Sequence, residues 1–459
     1  MRIFKLIKLS ILISVFPSNA IQSQEFESKI DQLILKTYTP DGPGISILIA
    51  KKGTPIYQKN YGKSNIELNL PVNSKTVFQI GSITKQFTAI AILMLEEQGK
   101  LKLNDEIIKH IPEYLNKGNK ITIHNLLNHT SGINGKTPIS SNKLKRLDLT
   151  VDQIIDYFKN KPLKFLPGEQ FSYSNSGYIL LGKIIEIVSG NSYEDFIENN
   201  IFKKLGMTNT RYGYHNEIVK NRANGYQFYG KNYMNAPYIS LSTQYAAGSI
   251  LSTAGDLLKW QNALVSNILI KKSSFDKATS KSVLNNKQVI SYGYGWYNRK
   301  INNSTVFVHG GATPGFMSNS IYLKHKDIYI IALTNCYCKK VKNIQKITYK
   351  IASLFTKNKK EVIINRIKLL ENELNKWVGN YKLSNNTYIK IELNDGYLYG
   401  FNPKNKNIKH KLISTSKNDF IFENKKINFH FYISKNGSKK VKMSSGNRTL
   451  IGFEYKINK

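Results

Sequence analysis

Ser82 and Lys85 lie three residues apart in Phe78-Gln79-Ile80-Gly81-Ser82-Ile83-Thr84-Lys85-Gln86-Phe87-Thr88, which runs into the apolar stretch Ala89-Ile90-Ala91-Ile92-Leu93-Met94-Leu95. On a helix, residues at this spacing share a face one turn apart, so the hydroxyl and the amine can meet. A serine hydroxyl needs a base to become a nucleophile, and a lysine serves once burial or a nearby cation lowers its pKa from about 10.4. The helix start adds backbone N–H groups and a positive dipole end, which favour a developing anion. This outlines an acyl-transfer site. Spacing alone does not select it, because Ser-x-x-Lys recurs at Ser140, Ser274 and Ser414. Ser82 differs in following a glycine and opening a long apolar amphipathic helix; without a second element it reads equally well as a plain N-cap.

That second element is Phe171-Ser172-Tyr173-Ser174-Asn175-Ser176-Gly177-Tyr178, which puts a phenol and an amide on one short segment before a helix. Tyr173 can shuttle a proton, and the Asn175 amide can hold both a lysine and a substrate carbonyl. Tyr-x-Asn also recurs, at Tyr114, Tyr214 and Tyr233, so it too is weak alone. A third element is Val306-Phe307-Val308-His309-Gly310-Gly311-Ala312, a strand-like run whose glycines allow close approach of a ligand backbone and whose histidine could bind or relay protons.

In this order the three elements resemble the serine β-lactamase and penicillin-binding protein superfamily. They are most like its class C-like branch, which also holds DD-carboxypeptidases, D-aminopeptidases and esterases. The likeness spans residues 30–355 and includes Asn125-Leu126-Leu127-Asn128-His129-Thr130-Ser131-Gly132, Leu205-Gly206-Met207-Thr208-Asn209-Thr210, Ser252-Thr253-Ala254-Gly255-Asp256-Leu257 and Tyr294-Gly295-Trp296. The resemblance implies that Ser82 is the nucleophile, Lys85 its activating partner, Tyr173 the general base and acid, and Asn175 the substrate-orienting amide. It implies an oxyanion hole from the N–H groups of Ser82 and Ala312, substrate contacts along His309, Gly310, Gly311 and Ala312, and a structural role for His129. One departure is plain: the superfamily's Lys-Thr/Ser-Gly is His309-Gly310-Gly311 here, as in similar D-aminopeptidases and some esterases. Losing that cation shifts the expected substrates towards peptides, amides or esters without a C-terminal carboxylate at that position. The leading expectation is thus an exported serine hydrolase acting through a Ser82 acyl-enzyme. The alternatives are a DD-carboxypeptidase or class C-like β-lactamase and, in a different class, a non-catalytic module that grips cell-wall polymer.

The elements that position these residues follow from patterning. At 459 residues the chain is about three times a typical domain of roughly 150 residues, so one large domain with an appendage is expected. Hydrophobic residues at 41% exclude a wholly disordered chain. Strands are expected at 45–50, 55–61, 292–297, 306–309, 318–323 and 328–334, and helices near 83–98, 151–160, 177–189, 192–203, 254–265 and 341–355. Terminal strands around central helices suggest an α+β domain whose ends share one sheet; the resemblance implies that this is the β-lactamase/transpeptidase-like antiparallel sheet flanked by helices. The expected boundaries are a signal peptide at 1–20, the hydrolase domain at 21–356, a linker with a short helix (363–374) at 357–375, and a small antiparallel β-domain at 376–459. In the last, Ile389, Ile391 and Leu393 alternate before Asn394-Asp395-Gly396, and Phe429, Phe431 and Ile433 before the hairpin pair Asn436-Gly437.

A basic start (Arg2, Lys5, Lys8), a short apolar core and the small residues Ser18-Asn19-Ala20 describe a secretory signal cut after Ala20, hence a periplasmic or secreted protein. The apolar run is shorter than the roughly 20 residues that span a bilayer, so no membrane span is expected in the mature chain. The formal charge of +37 rests on 60 lysines against 7 arginines and reads as compositional bias. Without an arginine cluster or reader motif, nucleic acid is not an expected partner; a small-molecule or peptide substrate is, and anionic cell-wall polymer is the residual candidate. No metal spacing or phosphate loop occurs, so no cofactor is expected. Cys336 and Cys338 share a strand face and read as core thiols rather than a local bridge.

Overall fold

A computed structural model describes residues 18–114, 118–230, 232–338, 343–356, 366–403, 409–422, 427–445 and 448–455. The chain divides into two compact units, residues 1–357 and 358–459. Unit one is built on a six-stranded antiparallel sheet in the order Tyr297–Ile301, Ser304–Thr313, Phe316–Leu323, Ile328–Thr334, Ile45–Lys51, Thr54–Tyr61. The first hairpin therefore pairs with the last strands, as a sheet shared by both ends requires. Ile45-Ser46-Ile47-Leu48-Ile49-Ala50 and Ile328–Thr334 lack a polar alternation because both faces are covered. Ile45, Ile47, Ile49, Ile330 and Ala332 pack with Ile30, Ile34 and Ile351 from the helices Ser18–Leu35 and Ile344–Thr356. Leu48, Ala50, Ile331 and Leu333 meet the opposite layer, in which the helices Thr84–Glu97 and Ala254–Val265 lie.

Several expectations change. The expected signal peptide lies outside the described residues up to position 17, and from Ser18 the chain is helical to Leu35. The helix after Ser82 is not amphipathic: every residue from Thr84 to Leu95 is buried, so it is a central core helix. The run Tyr292–Trp296 is not a strand. Gly295, at φ +83°, presses its backbone onto the helix that carries Lys85, where an added Cβ would sit 3.0 Å from Gln86 Cα; pairing resumes at Tyr297. The helix expected at 151–160 ends at Asp156. The one expected at 192–203 is helical over Tyr193–Ile197 and continues as a π turn to Phe202. Residues 366–370 are not helical, and the short helix of that region is Glu371–Asn375. Cys336 and Cys338 form a disulfide, against expectation: two side chains on one strand face with Cα atoms 5.3 Å apart are within bridging reach.

Unit two is a closed eight-stranded antiparallel barrel between Gly379 and Glu454, its first strand pairing with its last through Tyr381 and Glu454. Tyr381, Ile391, Leu398, Phe429, Phe431 and Val441 fill the interior. Ile433, assigned to the inner face by alternation, is exposed where its strand runs out to the turn. Among the described residues no helix is long and apolar enough to cross a membrane.

Candidate active site

Ser82 lies in a single 3₁₀ turn, Gly81–Ile83, that leads directly into Thr84–Glu97. Gly81 adopts φ +51°, and a side chain there would meet the Ala312 backbone nitrogen at 2.8 Å. Gly311 is tighter still, because its Cβ would come within 1.9 Å of the Ile80 carbonyl oxygen. The two glycines let the serine turn and the strand Ser304–Thr313 touch backbone to backbone. Pairing with the outer strand stops at Val308–Tyr297, so beyond it that edge of 309–312 is left to the turn. Ser82 and Ala312 thereby line one cleft, and Ser318 Oγ fixes the turn by donating to Ile80 O at 2.7 Å.

Lys85 is fully buried, and its Nζ lies 3.0 Å from Ser82 Oγ, 2.8 Å from Asn175 Oδ1 and 2.8 Å from the Ala247 carbonyl oxygen. Burial holds its pKa well below the ordinary lysine value. An ammonium can donate to all three acceptors. A neutral amine spends its two N–H bonds on Asn175 and Ala247, and its lone pair then faces the serine hydroxyl. Asn175, with Oδ1 taken by Lys85, leaves its Nδ2 end for the cleft it lines.

Tyr173 stands on the same side. Lys85 Nζ is 4.9 Å from the centre of its ring, over the face rather than at the hydroxyl. The Tyr173 hydroxyl is closed off from solvent with no full hydrogen bond, although Ser82 is near enough to favour its anion slightly. Burial dominates and pushes its pKa up, so it is a neutral phenol. Ser82, Asn175 and Ala312 line a cleft of about 50 Å³ with Thr137, Ile139, Thr243, Gln244 and Ala247.

His309 is 2% exposed and lies behind this cleft. Its Nδ1 donates to the Gly310 carbonyl at 2.8 Å, which leaves Nε2 to accept from the Tyr292 hydroxyl at 3.1 Å. Burial, then the Lys85 and Arg299 charges, pull its pKa down to about 3, so the imidazole is neutral. His129, at φ +63°, serves its loop: Nδ1 accepts from Ser174 N–H at 3.1 Å and its carbonyl from Ser172 N–H at 2.9 Å, which fixes the segment carrying Tyr173 and Asn175.

Sequence reading missed the segment 245–247. Tyr245 sits at φ 42°, ψ −135°, its hydroxyl bonded to Glu186 at 2.6 Å, and the following carbonyls are presented to Thr88 and Lys85. Acceptors on the main chain leave no trace in residue type; Ala246-Ala247-Gly248 beside a Ser-Thr helix start was the available clue.

A serine at the head of a buried helix, a lysine one turn on and a glycine-bearing strand alongside define the β-lactamase/transpeptidase-like fold, here with a C-terminal barrel. The family model described as Beta-lactamase matches residues 30–343, and the chain belongs to that family of serine hydrolases. It is 32% identical over 304 residues to Penicillin-binding protein 4* of Bacillus subtilis, a match covering 62% of this chain and 66%, just under two thirds, of the relative. The octameric penicillin-binding protein homologue from Pyrococcus abyssi superposes with a TM-score of 0.64 at 27% identity, covering 93% of this chain and 99% of that one. The D-amino acid amidase of Ochrobactrum anthropi shares the fold at TM-score 0.63 and 22% identity, over 74% of this chain and 99% of that one.

Proposed function

We propose that the protein is an exported serine hydrolase that cleaves peptide, amide or ester bonds through an acyl-enzyme on Ser82. The observation that carries this is the buried Lys85 amine, 3.0 Å from Ser82 Oγ and tied to two carbonyl oxygens that orient its lone pair. Neutral Lys85 takes the Ser82 proton as Oγ attacks the substrate carbonyl, and the oxyanion is held by the N–H groups of Ser82 and Ala312. Tyr173, a neutral phenol, gives its proton to the departing amine or alkoxide and regains one from the Lys85 ammonium. Water then enters by the reverse route and releases the acid. Asn175 Nδ2 orients the substrate. His309 acts from behind, through Tyr292 and the strand, while Gly310, Gly311 and Ala312 form the edge along which substrate lies.

The penicillin-binding relatives and the amidase fold support an amide or peptide substrate; they also favour a second reading, a DD-carboxypeptidase or β-lactamase proper. In this reading residues 21–356 carry the chemistry and the barrel is an appended module. The basic surface gives the exported chain an attraction to anionic cell-wall polymer. The test is intact-mass measurement after exposure to a penicillin, a D-amino-acid amide and a short ester. One acyl adduct on Ser82 is expected, absent in Ser82→Ala, and the adduct mass separates the two readings. Hydrolysis undiminished in Ser82→Ala overturns both.

A further inference from the structure

A second cavity, of about 240 Å³, lies beside the Ser82 cleft, with Arg222, His215, Tyr238 and Gln79 on its walls. Its lining continues that of the cleft along three segments. Gln79 is three residues before Ser82, Pro314 two after Ala312, and Leu241 two before Thr243. Lining residues only two or three positions apart along the chain, in or beside the 3₁₀ turns Leu241–Ala247 and Gly81–Ile83, place the cavity next to the cleft, on the path an arm of a substrate held at Ser82 can take.

The cavity is built for an anion. No acidic side chain lines it. Arg222 is half-buried, and one edge of its guanidinium faces the Tyr214 carbonyl oxygen at 3.4 Å, the long limit of a hydrogen bond. Glu217, whose charge reaches Arg222, is itself paired with Arg211, and among the described residues no carboxylate forms an ion pair with Arg222. A half-buried guanidinium that no described carboxylate contacts directly has hydrogen-bonding capacity to offer, and its planar fork matches a carboxylate with two parallel bonds. Gln79, which lines the cavity, accepts from Thr313 Oγ1 through Oε1 at 2.7 Å, so its amide nitrogen is the end left to act as a second donor. Tyr238 packs edge-on against His215, ring centres 4.5 Å apart, and walls the site.

We propose that this cavity is a carboxylate-binding subsite in which Arg222, seconded by Gln79, holds a carboxylate of the substrate whose carbonyl lies at Ser82. The substrate class is then an acyl amide, peptide or ester with a free carboxylate away from the scissile bond. This deepens the hydrolase reading and rests on it.

Calorimetric titration of Ser82→Ala protein with glutarate, and with its neutral diamide, tests the subsite without turnover. Glutarate is expected to bind at least about tenfold more tightly than the diamide. Adding Arg222→Gln removes that preference; Arg222→Lys, which keeps charge but not the fork, retains part of it. Melting curves establish that the variants fold, and the preference of the Arg222-containing protein needs no variant. Equal binding of the two ligands, or a glutarate preference that survives Arg222→Gln, overturns the subsite. Ser82 acylation is a separate readout: a protein that acylates yet ignores glutarate sinks the subsite alone, and one that holds glutarate through Arg222 but never acylates sinks the hydrolase reading alone.

Discussion

Lys85 stands with no ion-pair partner among the described residues, and its lowered pKa comes from burial alone. The sign of the pH dependence follows. Only the neutral amine can take the Ser82 proton, so acylation is expected to rise with pH through the folded-state pKa of Lys85 and to fade on acidification. Stability moves the same way: between that pKa and the unfolded value of about 10.4, the unfolded chain binds the extra proton, so the fold gains stability as pH rises. Lys85→Arg, cationic throughout this range, is expected to acylate ~10²–10⁴-fold more slowly where Lys85 is neutral, with the gap closing on acidification as Lys85 itself is protonated. Single-turnover acylation followed across pH checks this, and a rate that falls as pH rises for the unaltered protein contradicts the lysine-base mechanism. The side chains of the proposed site, Ser82, Lys85, Tyr173 and Asn175, could be picked out in the sequence because side-chain chemistry needs particular residue types. His309 was legible as a residue but not as a place, since only the packing of Tyr292 and Tyr297 around it shows that it is sealed behind the cleft.

At the scale of elements, the site depends on how closely a strand can lie against a turn. Gly311 is the gauge of that contact, since any side chain there would collide with the Ile80 carbonyl and with Ser318 Oγ. Neither neighbour is the free end of a flexible chain. Gly311→Ala is expected to push the strand from the turn, cost about 1–3 kcal/mol of stability by overpacking, and slow Ser82 acylation by widening the gap between the Ser82 and Ala312 N–H groups. Urea unfolding and acylation rate, measured on one preparation, check both; unchanged acylation would mean that Ala312 takes no part in holding the oxyanion. Strands were readable where apolar runs were long, as in Ile328–Thr334. They misled at Tyr292–Trp296, where aromatic residues suggest β structure but two glycines are pressed against backbone, Gly293 on Ala278 O and Gly295 on the helix of Lys85. The helix Ser18–Leu35 was hidden because its first residues resemble the end of a secretory leader.

At the scale of the whole molecule, the two units are separately complete. The hydrolase unit closes its sheet with its own first hairpin and covers both faces with its own helices. The barrel joins its last strand to its first, so it leaves no sheet edge that needs a partner. Each also has a separate hydrophobic core. The alternation of Ile389 and Ile391 announced a β-domain; closure depends on pairing residues 381 and 454, a relation that local periodicity does not carry. Independent cores imply independent folding. A chain ending at residue 357 is expected to melt cooperatively and to acylate Ser82 with a small ester within about twofold of the full chain. A truncated chain that fails to fold, or loses acylation of even the smallest ester, would show that the barrel contributes to the site itself. If acylation by the small ester persists and only long peptides change in rate, the barrel acts on substrate size, and the chemistry belongs to the first unit alone.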